Sequence, residues 1–115
     1  MIDHIEVLGQ DFDVRVEDHP TRALDPDAPH SHEALGACDR DRLTIVLRGT
    51  LPVAKQRETL LHETLHAVIG VARIYPYNEE DDAEEEMVAT LAPLLLDTLR
   101  RNPELVRQLM MGTGL

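Results

Sequence analysis

The chain has no tryptophan, one phenylalanine and two tyrosines among its 115 residues. Its core must therefore be aliphatic, drawn from Leu, Val, Ile, Ala and Met. A single cysteine, Cys38, excludes an intrachain disulfide, and that usage fits a reducing compartment. Basic residues are scarce: 11 Lys and Arg stand against 22 Asp and Glu, for a net charge of −11. A nucleic-acid binder needs a basic stripe to neutralise phosphates, and the densest basic spot here is Arg100-Arg101. Neither a nucleic acid nor an anionic membrane surface is an expected partner. No apolar run approaches the roughly 20 residues of a membrane span. The start, Met1-Ile2-Asp3-His4, lacks the basic and apolar regions of a signal peptide. The expected location is the cytoplasm.

What is present suits one domain of α+β class. Residues 2–17 alternate, with Ile5, Val7, Phe12, Val14 and Val16 on one side and Glu6, Asp13 and Arg15 on the other. This period of two predicts a half-buried hairpin, with its turn at Gly9-Gln10-Asp11. From Asp18 to His32 the pattern dissolves around Pro20, Pro26 and Pro29, which reads as a loop. The loop carries His19, His30 and His32, as surface residues or as part of a flap. Leu35-Gly36-Ala37-Cys38 opens a short strand, Asp39–Arg42 is a polar turn, and Leu43–Leu47 is a compact strand. Cys38 reads as a packing residue, since no sequence neighbour would depress its pKa.

A helix is expected from an N-cap at Thr50, with Pro52 in its first turn, to about Ala72. A second begins near Asp81-Asp82 with an apolar face of Met87, Val88, Leu91, Leu94 and Leu95, and Pro93 either kinks or divides it. Asn102-Pro103-Glu104 starts a last helix with Leu105, Leu109 and Met110 inward. The expected fold is a small antiparallel or mixed N-terminal sheet with a loop (residues 1–49), packed on a helical part. That part comprises a helix over 50–72 and a further pair over 80–111.

The first helix carries His62-Glu63-Thr64-Leu65-His66, an H-E-x-x-H pattern. Residues four apart share a helix face, so His62 and His66 offer two imidazole nitrogens to one point. That donor set suits Zn²⁺. Glu63, rotated by about 100° from His62, borders such a point and can take a proton from metal-bound water. The flanking Leu60, Leu61, Leu65, Val68 and Ile69 supply the apolar context that the motif requires. Glu58, one turn before His62, is either a partner for a ring N–H or an exposed charge.

A catalytic zinc needs a third protein ligand. No histidine follows His66, which disfavours the three-histidine classes, RNA-processing enzymes among them. The downstream donors are Asp81, Asp82, Glu84, Glu85 and Glu86 at the head of the second helix. Helical periodicity leaves Glu84 and Glu85 level. Glu85 precedes Val88, Ala89 and Ala92, Glu84 precedes Val88, Leu91 and Leu95, and Glu86 has a poorer stripe.

Residues Arg57–Ala67 and Glu84–Pro93, with a strand before the first helix, resemble the gluzincin class of zinc metallopeptidases. More closely, they resemble the small ImmA/IrrE-type and related phage and actinobacterial metallopeptidase-like proteins. The resemblance covers roughly residues 43–95 and implies a minimal zincin-like fold. It implies zinc held by His62, His66 and Glu85, with Glu63 as general base. The family pattern usually has Asn where this chain has Ala89, which keeps Glu84 open in the neighbouring register.

The expected function is hydrolysis of a peptide bond in a protein or peptide substrate by zinc-bound water that Glu63 activates. Tyr75, Tyr77, His30 and His32 are candidate oxyanion donors, and the strand Leu43–Leu47 is the candidate edge for an extended peptide. Specificity would come from the loops 18–34 and 73–80 or from a partner protein. The competing expectation is a zinc-stabilised, catalytically inert phage or mobile-element protein that binds a host protein.

Overall fold

The computed structural model describes residues 2–25, 34–74 and 82–111. Within them the chain is α+β, with a four-stranded mixed sheet at the N-terminal side packed on helices. Strands β1 (His4–Val7) and β2 (Gln10–Glu17) form an antiparallel hairpin. Its turn is Leu8-Gly9, not Gly9–Asp11, because both residues adopt positive φ, at 51° and 87°. Two consecutive left-handed residues give a two-residue turn whose twist matches the strands. Gln10 and Asp11 are thereby freed to pair with Val7 and Glu6.

A short helix α1 (Pro20–Leu24) occupies part of the stretch expected to be loop. Pro20 sits at its first position, where the missing N–H costs nothing, and is buried. Strands β3 (Gly36–Asp39) and β4 (Thr44–Arg48) follow as an antiparallel pair, and β4 lies parallel to β2. The order β1-β2-β4-β3 makes β4 interior and β3 an edge. The Leu43–Leu47 segment is therefore paired on both sides and cannot accept an added peptide strand.

Thr44, Ile45, Val46 and Leu47 are all buried, as expected of a strand covered on both faces. Ile45 and Leu47 join Val7, Phe12, Val14 and Ala67 in one cluster beneath helix α2 (Val53–Ala72), while α1 packs across β3 and β4. The core is aliphatic around the one phenylalanine, Phe12, which is fully buried. Val16, placed inward by alternation, is exposed at the end of β2.

Helix α2 begins two residues later than an N-cap at Thr50 implies. Pro52 occupies the cap position without a side-chain hydrogen bond. The buried stripe of α2 is Thr59, Glu63 and Ala67, spaced by four. Helix α3 (Asp82–Arg101) runs unbroken through Pro93. Its buried stripe is Glu84, Val88 and Ala92, so Met87, Leu91 and Leu94 are exposed rather than inward. Small Ala92 on this stripe and Ala67 on that of α2 leave room for close packing, and α3 lies against α2.

Helix α4 (Pro103–Met111) begins where Asn102-Pro103 predicted, but it buries no residue. Leu105, Leu109 and Met110 face outward because, among the described residues, α4 packs on α3 rather than on the sheet. Among the described residues no helix is long and apolar enough to cross a membrane.

Helix α2 ends at Arg73, an exposed residue in the left-handed conformation with φ 53° and ψ 45°, whose N–H bonds to the Ile69 carbonyl. That conformation costs a side-chain-bearing residue about 1 kcal/mol, and glycine escapes the penalty. Arg73→Gly is therefore expected to raise the urea midpoint by an equivalent amount. A lowered midpoint would show that the Arg73 side chain stabilises the end of the helix.

Candidate metal centre

Spacing by four places three consecutive turns of α2, at Thr59, Glu63 and Ala67, against the sheet. The contact is close because β3 presents Gly36. A Cβ there would lie 2.7 Å from Thr59 Cγ2 and 3.2 Å from Glu63 Cγ. Glu63 is thus a carboxylate on a core-facing stripe, only 5% exposed. Burial pushes its pKa up to about 8, with the Glu85 charge adding to the rise and Arg40 opposing it.

His62 and His66 lie on the adjoining face of α2, which meets α3. Their ring centroids are 5.0 Å apart and their planes tilted by 56°. His62, Glu63 and His66 each offer a ligand atom, and these atoms lie within 4.8 Å of one another.

The first turn of α3 completes the cluster, and Glu84 and Glu85 do different things in it. Glu85 Oε1 lies 3.0 Å from His62 Nε2, and Glu85 Oε2 lies 2.6 Å from His66 Nε2. Its carboxylate thus spans the two ring nitrogens that face one another. Glu84 reaches the other side of the same ring, with Oε2 2.6 Å from His66 Nδ1. Arg40, from the turn after β3, donates to that same Glu84 oxygen. Glu84 Oε1 is buried and has no hydrogen-bond partner among the described residues. The Glu84 side chain is 5% exposed, that of Glu85 59%. Glu86 is exposed, and Asp81 lies outside the described residues.

The donor chemistry fits a divalent cation. His66 meets a carboxylate oxygen at each ring nitrogen, and a neutral imidazole has one N–H to give. With Nδ1–H donated to Glu84, the Nε2 lone pair faces an oxygen lone pair of Glu85. Two such donors converge stably with a proton or a metal cation between them. Burial holds the pKa of His62 below its ordinary value despite the raising effect of Glu85, which favours the neutral ring that binds metals. The carboxyl groups of Glu63 and Glu85 border the point, and Glu84 and Arg40 lie behind the His66 ring, so a bound dication would meet a donor set rich in carboxylate oxygen.

The cluster opens on a cleft of about 790 Å³ lined by β3, the turn after it, α2 and the head of α3. Glu58 also lines it, but its carboxylate accepts from Lys55 at 3.1 Å rather than from a histidine. Cys38 packs against the core cluster, where burial raises its thiol pKa to about 12, which disfavours the thiolate. His19 is exposed. The proposed oxyanion donors His30, His32, Tyr75 and Tyr77 lie outside the described residues. Arg40 was hidden in the sequence as one charge of the polar Asp39–Arg42 turn, and no local signal distinguishes it from Arg42. A scan against protein-family models, a search of curated proteins and a search of solved structures each find no match.

The raised pKa of Glu63 has a consequence for stability. The folded chain keeps a proton on Glu63 that the unfolded chain releases above its ordinary value of 4.5. Chelator-treated protein should therefore lose stability as pH rises from about 4.5 to about 8. The Glu63→Gln variant should lack this component, so its advantage over the wild type grows across that window, to the order of a few kcal/mol. Urea unfolding at several pH values measures the difference, and a constant difference would mean that Glu63 keeps its ordinary pKa.

Proposed function

We propose that the protein is a zinc-dependent metallopeptidase of gluzincin, minimal zincin-like type. His62, His66 and Glu85 would hold the metal, and Glu63 would serve as proton carrier. The observation that carries this reading is the convergence of His62 Nε2 and His66 Nε2 on the single carboxylate of Glu85, beside the buried Glu63. A bound zinc would supply Lewis acidity and lower the pKa of a water molecule. The remaining work falls to the chain. His62 and His66 keep fixed positions because they are one turn apart on a helix packed against the sheet. Glu63, walled by Gly36 and Thr59, is placed to accept a proton at its carboxylate and return it to a leaving amine.

The cleft has a site for an extended peptide. Strand β3 is an edge strand and its residues line the cleft, so a substrate strand can add to its outer side. Asp41, just beyond the end of that strand, with Asp82 across the cleft, favours substrates with basic side chains.

Purified protein should contain about one zinc per chain, lost to a chelator. A folded protein that takes up no zinc would sink the reading. Glu63→Gln should keep the zinc and lower the cleavage of Lys- and Arg-rich peptide mixtures, read by mass spectrometry, by roughly 10²–10⁴-fold. Equal cleavage by the variant would remove Glu63 from the chemistry.

A second reading, an inert zinc-stabilised protein that binds a partner, draws on the exposed Leu94, Leu109, Met110 and Met111 of α3 and α4. It predicts one zinc per chain and no cleavage by the wild type.

A further inference from the structure

Helix α2 carries a glycine at Gly70, one turn after His66, and the stem of Arg40 lies across it. A Cβ on Gly70 would fall 2.3 Å from Arg40 Cδ and 2.6 Å from its Nε. The missing side chain leaves a seat through which Arg40 reaches the α2–α3 seam. There the Arg40 side chain, 9% exposed, donates to Glu84 Oε2, which faces His66 Nδ1.

We propose that Arg40 and Glu84 are positioning residues, seated over Gly70, that hold His66 as the Nδ1–H tautomer and aim its Nε2 lone pair at His62 and Glu85. The inference rests on the metal-site reading for its purpose, though the tautomer itself does not.

Distances decide between the two partners of Nδ1. The Glu84 oxygen is at 2.6 Å, whereas Arg40 Nη2 is at 3.3 Å from the same nitrogen. A carboxylate can only accept, so the shorter contact places the proton on Nδ1. Glu85 makes an equally short contact at Nε2, but its side chain is more than half exposed and its carboxylate is shared with His62. Glu84 is buried and clamped by Arg40. A carboxylate on the far nitrogen of a ligand histidine also raises the basicity of the ligating nitrogen. Adjacent residues of one helix thus take separate tasks on one ring.

The test reads the tautomer and metal affinity separately. In chelator-treated wild type, ¹⁵N imidazole shifts should report Nδ1–H for His66. The double variant Arg40→Met with Glu84→Leu removes both charges, so no buried ion is stranded. It should lose the tautomer preference and bind zinc about 10–100-fold more weakly. Glu84→Gln retains a carbonyl acceptor and should keep the tautomer and most of the affinity. Gly70→Ala should displace Arg40 and weaken zinc binding without altering any donor. An Nε2–H ring in the wild type, or unchanged tautomer and affinity in the double variant, overturns the proposal. If the wild type refuses zinc but shows an Nδ1–H ring that the double variant loses, the positioning role stands and the metal reading fails. If zinc binds equally well to both proteins, the reverse holds.

Discussion

Two carboxylates, Glu63 and Glu84, are buried in a chain that already carries a net charge of −11, and the surrounding structure answers to that constraint. Each stands on the core-facing stripe of its helix, where a leucine would stabilise the fold more. Burying a charge costs several kcal/mol unless it is paired or protonated. The fold meets the cost in two ways. Glu84 receives Arg40 and a ring nitrogen. Glu63 has His62 Nε2 at 3.7 Å, and burial raises its proton affinity. One carboxylate is held in place by its partners, and the other is a buried group whose proton affinity is raised.

Small residues make the arrangement possible. Gly36 lets β3 press against α2 at Glu63, and Gly70 lets the Arg40 stem cross α2 beside His66. Neither glycine has positive φ; close approach, not backbone freedom, is what each supplies. A reading of Gly70 from sequence alone sees only a residue near a helix end, because the group that fills its space lies 30 positions earlier in the chain.

The same distinction explains what was legible. The α+β order, the β3–β4 pair, the helix carrying residues 62–66 and the start of α4 follow from short-range signals: alternation, spacing by four, and proline at a helix start. The inward faces of α3 and α4 did not follow. Periodicity shows that a helix has an apolar stripe, but not whether the chain has enough other surface to cover it. In α3 the stripe that packs is Glu84, Val88 and Ala92, with a carboxylate at its head, and the richer apolar stripe is left outside. Arg40 was illegible because its role depends on Glu84, 44 residues later, and on the seat at Gly70.

The choice between Glu84 and Glu85 shows why a tie in periodicity can have a physical cause. Consecutive residues on a helix point about 100° apart, and the two nitrogens of an imidazole lie on different sides of its ring. A helix that meets a histidine end-on can therefore place one carboxylate at Nδ1 and the next at Nε2. Both then need to face the seam, so both precede apolar residues at helical spacing. Here Glu84 takes the buried Nδ1 side and Glu85 the cleft side. The two stripes compete only if one carboxylate is wanted. Bracketing one ring calls for both, and on that requirement the dipeptide Glu84-Glu85, rather than either residue, is the unit that α3 contributes.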